Sequence, residues 1–538
     1  MHVFPDIRPD SGPATEPVSD FVGSVLAIDG ARLVCSLTGS AESRRGIAIG
    51  GLVAVPTDAG AAVAVVHAMR HGRRSEDLGI LELQLLGELS GEPAAPVFRR
   101  GISRYPGLGA PIRQAAEIEE RAVYAVGERA AVEIGRLRHD PRVPVSVLVD
   151  ELLGKHFAVL GSTGCGKSSA VALLIGRFVE RYPDAHVLVI DPHDEYAAAF
   201  GEQALVLDPH SLELPYWLLT FEELAALLAP GDDERTYAER AILKDTVLKA
   251  RQRACKDPDK AELVSVDVPI PYRLSDLEDL INERLGTLDK PEGAAPYRHL
   301  LARLASARTD PRYEFLFPKL AVRDNLAAIL GRLFRIPADG RPVTVLNTAG
   351  MASEIVDVVV SVLCRLAFEY GLWSDRARVR PLLLVCEEAH RYVPDDPSLG
   401  FAPSRRAIDR LAKEGRKYGV SLCLVSQRPA ELSASALSQC GTVFALRMSN
   451  ERDQAFVERV LPDGSAWMLR MLPALAAGEA LIVGEGVPVP VTVRLDRLPP
   501  ERRPASATPS FSDIWSHPPA DHTAFLETAI RRWRRFQS

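Results

Sequence analysis

Residues 153–182 read LGKHFAVLGSTGCGKSSAVALLIGRFVERY. The stretch opens with an apolar run, passes through a glycine-rich turn and continues with apolar residues at helical spacing, which predicts a buried strand, a loop and a helix. Residues 161–168, GSTGCGKS, match G-x-x-x-x-G-K-[ST] at every fixed position. Because this pattern binds phosphates when it connects a strand to a helix, the stretch predicts a nucleotide-binding α/β core.

The predicted phosphate loop has a specific chemistry. Its glycines let successive backbone N–H groups curl around an anion without Cβ clashes, and the following helix adds the positive end of its dipole. We expect Lys167 to reach the β- and γ-phosphates of ATP and the Ser168 hydroxyl to ligate Mg²⁺. The predicted ATP-binding residues are Gly161, Ser162, Thr163, Gly164, Cys165, Gly166, Lys167, Ser168 and Ser169.

The rhythm of the sequence divides the chain into segments. Short apolar runs split by Gly and charged turns predict a small all-β barrel, whereas apolar runs alternating with helical patterns predict a parallel sheet wrapped by helices. A stretch rich in Leu, Ala, Glu and Arg at helical spacing predicts a helical insertion. The expected segments are a disordered N-terminus (1–17), the barrel (18–95), a linker region (96–150), the α/β core (151–215 and 311–498), the helical insertion (216–310) and a tail with a terminal helix (499–538).

Composition limits the classes of protein to consider. The chain has 538 residues and a net charge of −7, so a polyanion must be held by a local basic patch and not by the global field. Its seven cysteines contain no CxxC pair and several lie in apolar runs, which favours core residues in a reducing compartment. The polar N-terminus and the lack of about 18 uninterrupted apolar residues predict a cytoplasmic protein with no membrane span.

Two adjacent glutamates end a predicted strand, PLLLVCEEAH (381–390). One acid of such a pair can hold the water shell of Mg²⁺ while the other orients and deprotonates the attacking water. We assign the metal role to Glu387 and the base role to Glu388. Alone, two acids at a strand end are typical of a solvated turn; the upstream phosphate loop favours the catalytic interpretation.

A second acidic stretch, HVLVIDPHDEY (186–196), allows two interpretations. It contains enough carboxylates and a histidine for a metal cluster of a nuclease, but Pro192 and the turn spread these side chains apart. In a parallel sheet, ligands gather at the carboxyl ends of the strands. We therefore favour a rim of the ATP site, with Asp191 near the metal or the attacking water. His193 is equally consistent with a plain turn residue.

Basic residues crowd the segment RRAIDRLAKEGRKYG (405–419). Most of them fit a solvated helix face, but Arg416 lies at the helix end before the next strand, where it can act as an arginine finger across a subunit boundary. That strand ends in SQRP, and Gln427 is a candidate sensor of the γ-phosphate. A simple turn is the alternative for this tetrapeptide.

Together these pieces resemble the HerA-type ATPases of the HerA/FtsK group of hexameric P-loop motors. The resemblance runs in order from about residue 98 to 493, and residues 18–95 fit the HAS-type barrel of that family. The motifs that carry it are FRRGISRYPGLG, GSTGCGKSS, VLVIDPHDEY, LPYWLLTFEEL, DPRYEFLF, VVVSVLCRLAFEYG, LLLVCEEAHRYVP, KEGRKYGVSLCLVSQRP and LPALAAGEALIVGEG.

The resemblance implies a RecA-like P-loop core, a ring of six subunits with ATP at each interface, and translocation of double-stranded DNA through the central channel. It makes Glu388 the catalytic acid, Asp191 an ATP-site acid, Gln427 the sensor and Arg416 the trans-acting finger. The residues expected to line the channel and contact DNA phosphates are Arg405, Arg406 and Lys413.

The same resemblance implies a partner enzyme. HerA-type proteins work with a separate nuclease of the NurA kind, or with sirtuin-like or other effectors in antiviral defence, and the barrel is the expected docking platform. Two other functions stay open. An FtsK-like DNA pump is less favoured because neither membrane spans nor a winged-helix reader are recognisable. A nucleotide-gated ring scaffold for an effector is compatible with the same ATP site.

Overall fold

The computed structural model describes residues 21–38, 46–58, 60–71, 79–231, 233–287, 291–317, 322–461, 466–505, 511–516 and 522–537. The segment predicted to be disordered, 1–17, lies outside the described residues. The chain divides into two compact units. The first reaches to Gly127 and includes His139–Val143, and the second comprises Glu128–Arg138 and the chain from Pro144 onward.

The first unit is a small β-barrel. Strands β2-β1-β7-β3-β4-β5 are neighbours in that order, and an additional pairing of β2 with β5 closes the ring of six. Alternate residues of β5, such as Leu81, Leu83 and Leu85, point into the barrel core, as the period of a strand requires. Its elements are β1 (Phe21–Asp29), β2 (Arg32–Leu37), β3 (Leu52–Thr57), β4 (Gly60–Arg70), β5 (Gly79–Glu92), β6 (Ala95–Arg100), β7 (Pro111–Gln114) and α1 (Glu117–Val123).

The prediction that residues 96–150 form a linker is wrong. Strand β6 pairs with β5, and β7 closes the barrel between β1 and β3. Two further strands of this region, β8 (Ala131–Leu137) and β9 (Pro144–Leu148), pair with each other and join the sheet of the second unit. The Gly- and Pro-rich sequence between short apolar runs looks like loop, and only pairing with distant strands makes these segments β structure.

The second unit contains an 11-stranded sheet in the order β12-β13-β11-β14-β15-β10-β16-β17-β18-β8-β9. The first seven strands of this order are parallel, and β17 and β18 form the antiparallel hairpin that the sequence predicts. Besides β8 and β9, the strands are β10 (Phe157–Leu160), β11 (Val187–Asp191), β12 (Ala204–Leu207), β13 (Val343–Asn347), β14 (Leu382–Cys386), β15 (Val420–Ser426), β16 (Thr442–Leu446), β17 (Glu479–Gly484) and β18 (Val491–Leu495).

Helices connect these strands, and a run of them between β12 and β13 confirms the helical insertion, which continues beyond the predicted end to Phe334. No helix in the described part of the chain has both the length and the apolar character that a membrane crossing requires. The helices are α2 (Val149–Leu153), α3 (Lys167–Arg181), α4 (Tyr196–Phe200), α5 (Phe221–Leu228), α6 (Glu234–Ala254), α7 (Pro258–Ala261), α8 (Leu274–Gly286), α9 (Ala295–Thr309), α10 (Leu326–Phe334), α11 (Ser353–Trp373), α12 (Ala402–Glu414), α13 (Ala434–Leu437), α14 (Glu451–Val460), α15 (Ala466–Leu469), α16 (Phe511–Ser516) and α17 (His522–Gln537).

The central strands explain where the site lies. Every residue of β10, β11, β14 and β15 is buried, which is why these strands are continuous apolar runs without alternation. Because the four are parallel neighbours, their carboxyl ends meet at one edge of the sheet. The phosphate loop, the acidic stretch, the glutamate pair and Gln427 each follow one of these ends.

Candidate functional site

The phosphate loop connects β10 to α3, as the motif predicts. Gly164 and Gly166 adopt left-handed φ values of 73° and 101°, which side chains disfavour. A Cβ on Gly161 would lie 2.7 Å from Sγ of Cys165, so this position also requires glycine. Lys167, the first residue of α3, donates a 3.0 Å hydrogen bond from Nζ to the carbonyl oxygen of Ser162. The lysine thus curls back over its own loop.

Backbone bonds hold the loop from behind. The N–H of Ser162 donates to the carbonyl of Arg447 at 2.9 Å, and the N–H of Gly161 donates to the carbonyl of Ser426. Cys165 is fully buried beneath the loop, and its carbonyl accepts a bond from the N–H of Gly478. The loop is therefore fastened to the ends of β15 and β16 and to the turn before β17.

Glu387 directly follows β14 and is only 5% exposed. The hydroxyl of Tyr196 donates a hydrogen bond to its Oε1. Burial raises the pKa of Glu387 to about 8; the nearby charge of Glu388 also raises it, whereas the Tyr196 hydrogen bond and the ammonium of Lys167 act in the opposite direction. Glu387 therefore lies within electrostatic reach of the phosphate loop.

Glu388 is held at the centre of a polar network. Its backbone has a φ of 52°, unusual for a residue other than glycine, and this turn brings its side chain to the same edge as Glu387. Oε1 accepts a hydrogen bond from Nε2 of Gln427 and lies 3.3 Å from Nε2 of His193. Oε2 lies 3.3 Å from Nδ1 of His390, which also contacts the Ser426 hydroxyl at 3.2 Å.

Gln427 connects this network to the phosphate loop. It follows the last residue of β15, and its Oε1 accepts a hydrogen bond from the hydroxyl of Thr163. Through its two amide ends, Gln427 touches both a loop residue and Glu388. A side chain in this place can respond to a change at the loop and transmit it to the glutamate.

Asp191, predicted to lie near the metal or the attacking water, is the last residue of β11 at this edge of the sheet. Its Oδ1 accepts the N–H of His193 at 3.2 Å, its Oδ2 accepts the N–H of Tyr196 at 2.9 Å, and the residue is 1% exposed. Burial raises the pKa of this carboxyl. Because both oxygens bond backbone N–H groups, Asp191 shapes the turn that follows β11. The half-exposed His193, which that turn presents, is the residue that reaches Glu388.

Arg416 lies far from this edge within its own chain. It is exposed and precedes β15, whereas the phosphate loop follows β10, which runs parallel to β15. The seven residues of β15 span about 20 Å at the usual rise of a strand. Burial lowers the pKa of His156, just before β10, and the charge of Arg416 is close enough to lower it further. It therefore lies at the opposite edge of the sheet from the phosphate loop.

The three basic residues suggested for DNA contact lie on helix α12. Arg405 is 3.9 Å from the carboxylate of Asp409, and Arg406 forms an ion pair with Glu222 of α5. Lys413, near the end of the helix, is exposed to solvent. Of the three, the two arginines have acidic neighbours within the chain.

The donor set suits magnesium bound together with a nucleotide. Among the described residues, no group of three or more His, Cys, Asp or Glu is arranged to hold a metal ion on its own. Mg²⁺ in nucleotide sites needs only one or two protein oxygens, the rest coming from phosphates and water. The hydroxyl of Ser168, on the first turn of α3, and the buried carboxyl of Glu387 are hard oxygen donors of this kind.

Sequence reasoning missed two residues of this site. Tyr196 ends the acidic stretch, and His390 ends the stretch that contains the glutamate pair. Both are next to predicted site residues in the sequence, so proximity was the available signal. Tyr196 contacts Glu387, which is almost 200 residues away in the sequence. His390 contacts Glu388 within a single tight turn.

Much of this chain is similar in sequence to known proteins. Residues 132–367 match the family described as "Helicase HerA, central domain". The "DNA double-strand break repair helicase HerA" of Sulfurisphaera tokodaii is 27% identical over 439 residues, which are 81% of each chain. The protein of the same description from Pyrococcus furiosus is 28% identical over 417 residues, covering 68% of this chain and 69% of the relative.

A solved structure shares the fold. The structure of VirB4 from Thermoanaerobacter pseudethanolicus matches with a TM-score of 0.50 and 18% identity, over 70% of this chain and 99% of that one. The phosphate loop at the end of β10 and the glutamates at the end of β14 are the features expected of a P-loop ATPase. The family match, the relatives and the phosphate loop together show a P-loop ATPase that is similar to HerA helicases over most of its length.

Proposed function

We propose that this chain is an ATP-driven motor that translocates double-stranded DNA as a ring of six subunits. The relatives described as DNA double-strand break repair helicases support the choice of DNA as the track. We propose the ring because an arginine finger raises the rate of phosphoryl transfer by a large factor and is often supplied by a neighbouring molecule.

The position of Arg416 is the main support for a ring. Arg416 is exposed at the edge of the sheet opposite the phosphate loop, about a strand's length away. It cannot reach the ATP of its own subunit from there. A head-to-tail ring brings the Arg416 edge of one subunit against the phosphate-loop edge of the next, and such heterologous contacts close into rings when the rotation allows it.

The side chains at the loop divide the work of hydrolysis. Lys167 and the loop N–H groups hold the phosphates, and Ser168 with Glu387 would hold Mg²⁺, which neutralises phosphate charge when bound. Glu388 orients the attacking water and accepts its proton. Gln427 reports the state of the phosphates to Glu388 through the contacts that it makes with Thr163 and with the glutamate.

DNA contact is proposed to be indifferent to sequence. The chain has a net charge of −7, so the track must be held by a local ring of cations that touch the phosphate backbone. Lys413 is exposed, and it is favoured among the suggested contacts because Arg405 and Arg406 already have acidic neighbours. Such binding weakens steeply as salt rises.

The barrel is proposed to dock a partner nuclease of the NurA kind or another effector. In this proposal the partner cleaves DNA, and this chain, whose described residues form an ATP site, supplies ATP hydrolysis. The proposed role is DNA end processing in repair or in antiviral defence, in the cytoplasm.

The test combines ATP turnover with a direct measure of movement. Turnover is measured with no DNA, with linear duplex and with duplex plus a candidate nuclease, while displacement of a third strand from a triplex reports translocation. We expect duplex to stimulate turnover and displacement to require ATP, with Lys167→Ala as the inactive control. If duplex leaves turnover unchanged while the nuclease raises it, the chain is a nucleotide-gated scaffold and the motor proposal is wrong.

A further inference from the structure

Tyr196 is a fully buried tyrosine beside the ATP site. It is the first residue of α4, it is 0% exposed, and its ring stacks on that of Phe200 at a centroid distance of 6.1 Å. A buried tyrosine needs a partner for its hydroxyl, since an unpaired polar group in the interior is costly. Here that partner is Oε1 of Glu387.

The tyrosine is anchored at both ends. Its backbone N–H donates a 2.9 Å hydrogen bond to Oδ2 of Asp191, the last residue of β11. Its hydroxyl bonds the carboxyl of the residue after β14, the strand that lies beside β11 in the sheet. Tyr196 is therefore a brace between the ends of two neighbouring strands, and the position of its hydroxyl is set by the backbone and not by a mobile loop.

This arrangement restricts Glu387. A glutamate side chain at a strand end has free torsions, and each orientation of its carboxyl presents different oxygens to the phosphate loop. The hydroxyl of Tyr196 selects one of them by binding Oε1. Hydrogen bonds of this kind, from outside the ligand shell, orient metal-binding carboxylates, and their loss typically weakens metal affinity about 10- to 100-fold.

We propose that Tyr196 is a positioning residue that holds the carboxyl of Glu387 in the orientation in which it binds the Mg²⁺ of Mg²⁺·ATP. The inference rests on the proposed metal role of Glu387 and adds a residue that acts through it. Tyr196 touches neither nucleotide nor metal in this role. It also gives a function to the turn built by Asp191, whose Oδ2 accepts the backbone N–H of the tyrosine.

The variant Tyr196→Phe tests this, because it removes the hydroxyl and keeps the ring that stacks on Phe200. Tyr392→Phe is a matched control: Tyr392 is also fully buried, it lies in the turn after Glu388, and its hydroxyl has no hydrogen-bond partner among the described residues. Glu387→Gln is the reference for loss of the proposed ligand. All three are made in the full-length chain.

Two quantities are measured for each variant. The first is the affinity of Mn²⁺ for the complex with ADP, read by electron paramagnetic resonance with Mn²⁺ as a probe of the Mg²⁺ site. The second is the affinity for a fluorescent ADP analogue in EDTA, where no divalent metal is bound. We expect Tyr196→Phe to weaken Mn²⁺ binding about 10-fold and to leave metal-free nucleotide binding unchanged. Tyr392→Phe should change neither.

The outcomes separate this inference from the proposed function. If Glu387→Gln weakens Mn²⁺ binding but Tyr196→Phe does not, Tyr196 does not position the carboxyl, and the metal role of Glu387 stands. If Glu387→Gln itself leaves Mn²⁺ binding unchanged, that metal role is wrong and the inference on Tyr196 is overturned with it. If Tyr196→Phe weakens metal-free nucleotide binding as much as Mn²⁺ binding, the tyrosine is a packing residue of the site and the inference is again overturned.

Discussion

The side-chain amide of Gln427 donates a hydrogen bond to the carboxylate of Glu388, although the two residues are 39 positions apart. They meet because β14 and β15 are parallel neighbours whose carboxyl ends lie side by side. The other end of the same amide accepts a bond from Thr163 in the phosphate loop. The residue that would activate water is thus connected by one side chain to the loop that would hold the phosphates.

Replacing Lys167 with Ala should remove most ATP binding. Its ammonium curls over the loop onto the carbonyl of Ser162, and hydrogen bonds to charged groups are worth about 1.5–3 kcal/mol, or roughly 10- to 100-fold in affinity. Titration with a fluorescent ATP analogue measures the loss. Lys249→Ala, which removes an exposed ion pair with Asp245 in the helical insertion, is the control that should bind normally. Retained affinity in the Lys167 variant would contradict the placement of the phosphate loop.

Replacing Glu388 with Gln should stop hydrolysis and spare binding. The amide oxygen of Gln can still accept the bond from Gln427, so the network keeps its shape, but the side chain can no longer take a proton. Loss of a general base costs about 100- to 10,000-fold in rate. Single-turnover hydrolysis and nucleotide titration separate the two effects. A variant that still turns over would move the base role elsewhere, to Glu387 first.

Mixing Arg416→Ala subunits with Glu388→Gln subunits should restore part of the activity that each variant lacks alone. In a head-to-tail ring, an interface formed by the glutamate of one variant and the arginine of the other is intact, and equal mixing gives about one such interface in four. ATP turnover across a series of mixing ratios measures the recovery. No recovery at any ratio would place the function of Arg416 within one subunit, or give the finger role to another arginine.

Stability should fall in mild acid because of His156. This imidazole is buried, its Nδ1 accepts the N–H of Leu422 at 3.0 Å, and burial lowers its pKa from 6.5 to about 4. Below pH 6.5 the imidazole of His156 binds a proton in the unfolded chain but stays neutral in the folded chain. The stabilisation is therefore complete above pH 6.5 and is lost as the pH falls towards 4, with about 2 kcal/mol gone at pH 5.

The variant His156→Asn isolates this effect. Asparagine can accept the same N–H with its side-chain oxygen, tolerates the left-handed backbone at this position and does not titrate. Apparent melting temperatures at pH 7.5 and pH 5 should fall less for the variant than for the wild-type chain. An equal fall in both would show that other groups cause the acid sensitivity.

Much of the site follows from sequence because its parts are local. The phosphate loop is one uninterrupted octapeptide, and the glutamate pair and Gln427 each end an apolar run that a buried parallel strand requires. Local patterns of this kind predict strand ends, and parallel strands bring their ends to one edge. The α/β core, the barrel and the helical insertion were confirmed on the same grounds.

The sequence by itself determined the ATP-binding loop, the class of fold and the acids that follow the strands, because backbone geometry and hydrophobic periodicity are encoded in neighbouring residues. The tertiary structure alone decided that β8 and β9 join the sheet, that Asp191 supports a turn, and that Tyr196 bonds Glu387. The strand pairing and the bond between Tyr196 and Glu387 depend on groups far apart in the chain, and the role of Asp191 depends on which N–H groups its buried carboxyl reaches. Buried polar atoms need hydrogen-bond partners, and the folded chain determines which partner each atom has.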